Sequence, residues 1–454
     1  MLSHTISKLF IFIFISLSIT ACGSSGNSNS SNTATIIELL FFAGNNGTNG
    51  VELFKSDGTE MGTVSVKDIF PGFSSSSPDN LTIINGTLFF SANDNVFGRE
   101  LWTSNGTEIG TVLVKDIHPS GSSLLDSFTD VNGTFFFSAN DGSTGIELWK
   151  SNGTEVGTVL VKDILPGFGS SSHNNLTNVN GMLFFRANDG VNGMELWKSN
   201  GTEVGTVMVK DIHPSGASFP DDLVSINGTL FFTADDGTNG RELWKSNGTD
   251  AGTTMVKNIH LGTGSFPNNL TNINGSLFFF AHSVTTGVAL WVSDGTEAGT
   301  VNVKSIRPSV SSPDNQGNFN GMLFFSGKEA NDDELWSSDG TEAGTARIKD
   351  INPMGDSYPS QFTTINGTLF FTADDGSFGT ELWTSDGTEA GTVMVKDINP
   401  SGDSFPDNFT NLNGMFLFRA NDGVFGAELW TSDGTEAGTV MVKDTGLGFG
   451  SGYP

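Results

Sequence analysis

Short carboxylate-and-glycine loops recur along this chain: Asn140-Asp141-Gly142, Asn188-Asp189-Gly190, Asp235-Asp236-Gly237 and Asn421-Asp422-Gly423. Calcium takes about six to eight hard oxygen ligands, so Asp141, Asp189, Asp236 and Asp422 are the metal candidates. Their spacing is not that of an EF-hand loop, and Asp-Gly is equally ordinary turn chemistry. A second set pairs charges: lysine stands fifteen residues after glutamate in Glu52/Lys67, Glu100/Lys115, Glu147/Lys162 and Glu381/Lys396, and in four further units. Folding one strand onto the next around a six-residue turn would set each glutamate opposite its lysine, an ion pair contributing ~0.2–1 kcal/mol. Eight copies of one dyad describe a scaffold, not an active site. His118, His213 and His260 share a repeat position that elsewhere holds Phe70, Leu165, Arg307, Asn352 and Asn399. A position so tolerant reads as solvent-exposed and not as a metal ligand. No catalytic residue is assigned.

The elements that must position these groups announce themselves through tryptophan. Glu-Leu-Trp opens a unit completed by Ser-Asn/Asp-Gly-Thr, and its tryptophans are Trp102, Trp149, Trp197, Trp244, Trp291, Trp336, Trp383 and Trp430. These are all the tryptophans of the chain, 45 to 48 residues apart, and an earlier ninth copy carries Phe54 instead. A period of that length is the signature of a repeat architecture. Within Gln361–Asn399, Phe362-Thr363-Thr364-Ile365 reads as a strand, Asn366-Gly367 as a hairpin turn, and Thr368–Ala373 as a second strand. Thr380–Ser385 and Thr392–Ile398 make a third and a fourth. Four short antiparallel strands per unit, with no helical periodicity, predict an all-β fold: one β-propeller of about nine four-stranded blades. Phe370 and Phe371 must point to opposite sheet faces, so both faces need a neighbouring blade.

The repeat Glu-Leu-Trp-x-Ser-Asp-Gly-Thr-x-x-Gly-Thr, as at Glu381–Thr392 and Glu428–Thr439, resembles the ELWxxDGT repeat of bacterial surface and secreted proteins. The resemblance covers nearly the whole chain after its N-terminal segment and carries over no catalytic residues. Departures gather in units six and seven, where Ala289 replaces the glutamate, His282-Ser283 replaces Asn-Asp and Lys328-Glu329-Ala330 shortens a loop. Ser-Asp-Gly-Thr also resembles the Asp-box hairpin of sialidase-like propellers, without that box's spacing or trailing aromatic.

Residues 1–21 carry Lys8, an apolar run from Leu9 to Ile19 and then Ile19-Thr20-Ala21-Cys22. The run is too short to span a bilayer, which needs about 20 residues, and reads as a leader. With cysteine directly after Ile-Thr-Ala it resembles the lipobox of bacterial lipoproteins. The resemblance implies that Cys22 is lipidated and that Gly23, not Asp, follows it for an outer-membrane address, on the periplasmic or the cell-surface side. Residues 22–33 then form a flexible Gly/Ser/Asn tether, and 34–454 the propeller. Cys22 is the sole cysteine, so there is no disulfide framework. A formal net charge of −29 disfavours nucleic acid and anionic lipid, leaving the N-terminal lipid as the membrane attachment.

Near identity of the units leaves no unique residue set for chemistry. The expectation is a non-catalytic, surface-anchored lipoprotein propeller that binds or scaffolds a protein or glycan, without cofactor unless calcium occupies its loops. A glycosidase- or lyase-like enzyme with its site near irregular blades six and seven is the alternative. Nine copies exceed the typical four to eight blades. Neither end carries a polar capping unit, however, so the two ends should bury each other in one closed ring of nine. The tail Gly450-Ser451-Gly452-Tyr453-Pro454 matches Gly355–Pro359, just before a first strand. Unit one should therefore draw its first strand from near Thr35, with none exchanged across the seam.

Overall fold

A computed structural model describes residues 13–17, 37–308, 316–329 and 332–445. It is all β: nine antiparallel sheets, each a simple meander, arranged as a propeller. Blade two is typical, with strands Asp79–Ile84, Thr87–Asn93, Arg99–Ser104 and Val112–Lys115. Successive first strands lie against one another, so they are innermost and wall an axial channel, while each fourth strand is outermost. The Asn-Gly turns and Asp-Gly-Thr hairpins emerge on one face, here the turn face. The loops between second and third strands and the connections between blades emerge on the other, the loop face. Blade seven adds Arg307–Pro308 as a fifth strand.

The core is a series of layers between blades. Phe370 of blade eight packs with Phe416, Phe418 and Trp430 of blade nine, whereas Phe371 packs in the opposite layer with Phe324 and Leu335 of blade seven. Every tryptophan is buried in such a layer. Removing a ring of this size from water takes away roughly 150–250 Å², about 4–6 kcal/mol gross at ~25 cal/mol per Å².

Glutamate and lysine of a unit are not opposite one another. A bulge between leucine and tryptophan shifts the register, and Lys67 lies across from Leu53, Lys396 across from Leu382. The lysine instead crosses to the next blade. Lys67 Nζ donates to the Thr111 carbonyl at 2.8 Å and lies 5.9 Å from the Trp102 ring, and Lys396 repeats this on Thr439 and Trp430. The same bond closes the circle, for Lys443 Nζ donates to the Thr63 carbonyl of blade one at 2.7 Å. Leu40 joins Leu412, Leu417, Leu429 and Val442 in the layer at that junction. The ring of nine is therefore closed.

The origin of blade one's innermost strand differs from expectation. It is Ile13–Leu17, paired antiparallel with Ile37–Phe41, and not a segment near Thr35. Unit one has no Asn-Gly turn before Leu40, so its second strand runs straight through Ile37–Asn45 and cannot hairpin onto the residues just before it. An upstream apolar, β-branched run takes the slot. This strand falls within the segment read as a leader; Cys22, the tether 22–33 and the tail 446–454 lie outside the described residues. Among the described residues no helix is long and apolar enough to cross a membrane.

Candidate functional site

At the loop face every blade except the sixth, which has Ala289, carries a buried glutamate that ties it to the chain segment following its fourth strand. Glu52 accepts from the Ile69 amide at 2.9 Å, the Ser76 amide at 2.9 Å and the Ser76 hydroxyl at 2.6 Å. Glu381 does the same with Ile398 and Ser404. The connection is thereby pinned where it turns down into the next innermost strand. Burial pushes the carboxyls of Glu100, Glu147, Glu334 and Glu381 up to about 7, against the opposing pull of these hydrogen bonds.

One residue after that serine the backbone adopts a left-handed conformation. The residue there is a serine at Ser77 and Ser172, but a bulky one at Leu124, Phe219, Phe266, Tyr358 and Phe405, where φ lies between 45° and 50°. Bulky residues are rare in this region, and each costs of order 1–3 kcal/mol. Two amides hold the strained link: Ser218 and Phe219 both donate to the Met194 carbonyl, at 3.0 and 3.1 Å. The five side chains are half-exposed, between 51 and 61 %. Each stands two residues before an innermost strand, so together they rim the channel mouth.

Below the rim the wall is polar. The innermost strands start with Asp79, Asp126, Asn174, Asp221, Asn268, Gln316, Ser360 and Asp407. The next residue is again left-handed at Asn80, Ser127, Asn175, Asp222, Asn269, Gln361 and Asn408. Non-repeated charges meet here in blades four and five. Arg186 lies 3.6 Å from Asp221, which also accepts from the Asn175 amide. Arg241 donates to the Phe219 carbonyl at 2.8 Å, bracing the strained link. Burial first, then repulsion by Asp221, pushes the Asp222 carboxyl up to about 6, against the pull of Arg241. Arg419 grips Asp407 with two bonds, at 2.8 and 2.5 Å.

The sequence-derived candidates sort as follows. Asp141, Asp189, Asp236 and Asp422 sit at separate loop tips, each with one oxygen accepting two amides of its own loop. Both oxygens of Asp189 and Asp236 are taken, the second by Asn192 and Asn239. Burial works to raise Asp141, yet the loop's hydrogen bonds outweigh it and hold the carboxyl below its ordinary range. The shared histidine position is not simply solvent-exposed. His118 packs over Gly121 and Gly142, and His213 over Gly216 and Gly237, as Asn352 does at Gly376. It fills the joint between a connection and the following blade's loop, a space that several side-chain shapes satisfy.

Near blade seven, Asp356 takes Lys328 at 3.0 Å, the Tyr358 hydroxyl at 2.9 Å and the Asp333 amide at 3.0 Å. Asp333 accepts from Ser326 at 2.6 Å. Asp356 is thus fully engaged, whereas Asp333 is tied through one oxygen only, and burial pushes its carboxyl up to about 6. Asp332, Glu334 and Asp350 also converge. Arg347 bridges Asp332 and Asp350 at 2.7 and 3.5 Å, and Glu334 holds Ile351 and Ser357. Ser171 Oγ and His173 Nδ1 meet at 3.0 Å, but both residues are buried, and burial brings the His173 imidazole down to about 3. A substrate has no route to that pair. A cleft of about 320 Å³ between blades eight and nine, beside Asn366, Met415 and Asp433, opens on the opposite, turn face.

No family model matches the chain, and no curated protein matches it. Solved structures do align with the ring. A prolyl endopeptidase structure aligns at 13 % identity and TM-score 0.42, over 70 % of this chain and 49 % of that one. Oligopeptidase B from Leishmania major aligns at 12 % and 0.39, over 72 % and 49 %. The propeller domain of the Trilobed protease from Pyrococcus furiosus aligns at 12 % and 0.36, over 71 % and 98 %. The chain thus spans about half the length of the two whole peptidases. These matches correct the functional expectation formed from the sequence. The solved structures named above are peptidases; the stand-alone scaffold, glycosidase and lyase readings find no support among them and are not carried further.

Proposed function

We propose that the ring is the peptide-admitting part of a peptidase system, receiving an extended peptide at its channel mouth while hydrolysis is carried out elsewhere. The observation that carries this is the rim itself: five half-exposed apolar side chains held at strained backbone positions above an Asn- and Asp-lined wall. Apolar rings suit peptide side chains, and carboxamides and carboxylates suit backbone N–H and C=O groups. The chain's formal net charge of −29 favours cationic over anionic peptides. Strain of this kind persists where surrounding structure over-determines it, commonly at ligand clamps.

The test is fluorescence anisotropy with labelled unstructured peptides on wild type and on a Phe219→Ser, Phe266→Ser, Phe405→Ser variant. Binding by wild type and its loss in the variant is the expected result. Equal binding by both proteins, or none by either, overturns the proposal.

The chain is further proposed to belong with the ELWxxDGT-repeat proteins and to be lipid-anchored at the outer membrane through Cys22. Cleavage before Cys22 would release the Ile13–Leu17 strand and leave Ile37–Asn45 as the inner edge of blade one. Cys22→Ser protein should leave the membrane fraction. If it sediments with membranes as wild type does, the anchor is wrong.

A further inference from the structure

The hairpin tips on the turn face are not equivalent. In blades one to four the residue after the tip glutamate is Met61, Ile109, Val156 and Val204, each at least 90 % exposed. In blades five to nine it is Ala251, Ala298, Ala343, Ala390 and Ala437. Four consecutive blades therefore hold a large apolar side chain out into water, and the other five hold out a methyl group. Nothing within the ring needs these groups, because they touch no core layer.

With residues 1–21 cleaved away, as proposed above, the chain would enter blade one on this same face. Leu40 lies across from Ser56, the last residue before the hairpin, and the strand extends three residues further out to Ile37. The fifteen residues from Cys22 to Ile36 are Gly-, Ser- and Asn-rich; acting as the flexible tether expected from that composition, they would reach about 20 Å. A lipid on Cys22 would thus hold the turn face toward the bilayer, with blade one nearest.

From this we infer that the arc Met61–Ile109–Val156–Val204 rests in the lipid interface, tilting the ring so that blades one to four face the bilayer and the channel mouth faces away. Glu60, Glu108, Glu155 and Glu203 stand beside the apolar tips and repel anionic headgroups, so the surface it fits is zwitterionic. The inference rests on the lipid-anchor proposal above, and the experiment separates the two.

Full-length lipidated protein carrying Val156→Cys or Ala390→Cys is labelled with a polarity-sensitive fluorophore and mixed with phosphatidylethanolamine/phosphatidylcholine vesicles. Co-sedimentation of the protein with vesicles reads the anchor alone. With the anchor in place, the label at 156 should shift to the blue and brighten, and the label at 390 should keep its aqueous spectrum. Replacing half the lipid with phosphatidylglycerol should diminish the shift. Equal spectra at both positions overturn the tilt. A blue shift at 156 without vesicles, growing with protein concentration, overturns it in favour of contact between copies of the chain.

Discussion

Replacing Glu381 isolates what the buried carboxylates do. Its side chain is fully buried and accepts three hydrogen bonds, from the Ile398 amide, the Ser404 amide and the Ser404 hydroxyl. Glu381→Ala leaves the Ile398 amide without an acceptor and the Ser404 amide and hydroxyl with the Thr380 carbonyl alone, and should cost on the order of 3 kcal/mol, at ~1–3 kcal/mol per unsatisfied group. Glu381→Gln keeps an acceptor and removes the charge. The carboxyl is raised from 4.5 to about 7 by burial, so the fold prefers its neutral form. A folded value above the unfolded one gives stability that is complete below about pH 4.5 and is lost as pH rises toward 7. At ~1.36 kcal/mol per unit, the loss at this one site is at most about 3 kcal/mol. Denaturant midpoints measured near pH 5 and near pH 8 make the check. The Gln variant should gain on wild type by roughly 1–3 kcal/mol between the two conditions, while the Ala variant stays well below both. A difference between wild type and Gln that does not change with pH would refute the reasoning.

The remaining predictions use the same stability assay. Trp197→Ala should lose roughly 3–5 kcal/mol as a buried large-to-small change, and Trp197→Phe clearly less, since blade one already uses Phe54. Equal, negligible losses would mean the ring is not packed as described. Lys443→Met, which breaks the bond from blade nine to blade one, should cost about as much as Lys396→Met, each on the order of 1 kcal/mol for a half-exposed charged donor. A silent Lys443→Met beside a costly Lys396→Met would mean the circle is open in solution. Adding a calcium chelator should leave the midpoint where it was, because the loop carboxylates are taken by their own backbone. A fall in midpoint would restore Asp141, Asp189, Asp236 and Asp422 as ligands.

Tryptophan spacing and the Asn-Gly turns made the blades legible, because period and turn chemistry are local properties of the chain. The paired Phe370 and Phe371 made the layered core legible for the same reason. The partner of each glutamate was not legible. A single bulge between leucine and tryptophan redirects the lysine to the next blade, and spacing does not register a bulge. Glu381 meets Ser404 from 23 residues on, a contact set by how a connection folds back. The rim was missed too, although a sign of it was present in Ser218-Phe219-Pro220, Ser265-Phe266-Pro267, Ser357-Tyr358-Pro359 and Ser404-Phe405-Pro406. A large residue between serine and proline at one repeat position is unusual in a turn, but only the backbone angle shows its strain. Blade one's innermost strand was misplaced because it was argued from the tail's match to Gly355–Pro359, whereas the absence of an Asn-Gly turn before Leu40 leaves no hairpin there to supply it.

The junction between blades nine and one sets how the circle yields under load. The other layers bury a tryptophan from the following blade, with an alanine beside it in all but the six–seven layer, where Gly327 stands, but blade one offers Phe54 and Gly44 at those places, and the seam layer is five aliphatic side chains with Phe42 at its edge. Among the described residues no strand of blade nine is woven into blade one, so no hydrogen-bonded ladder spans the gap. A pull on the wall therefore finds one rivet line thinner than the rest, and the ring parts sideways there like a split washer.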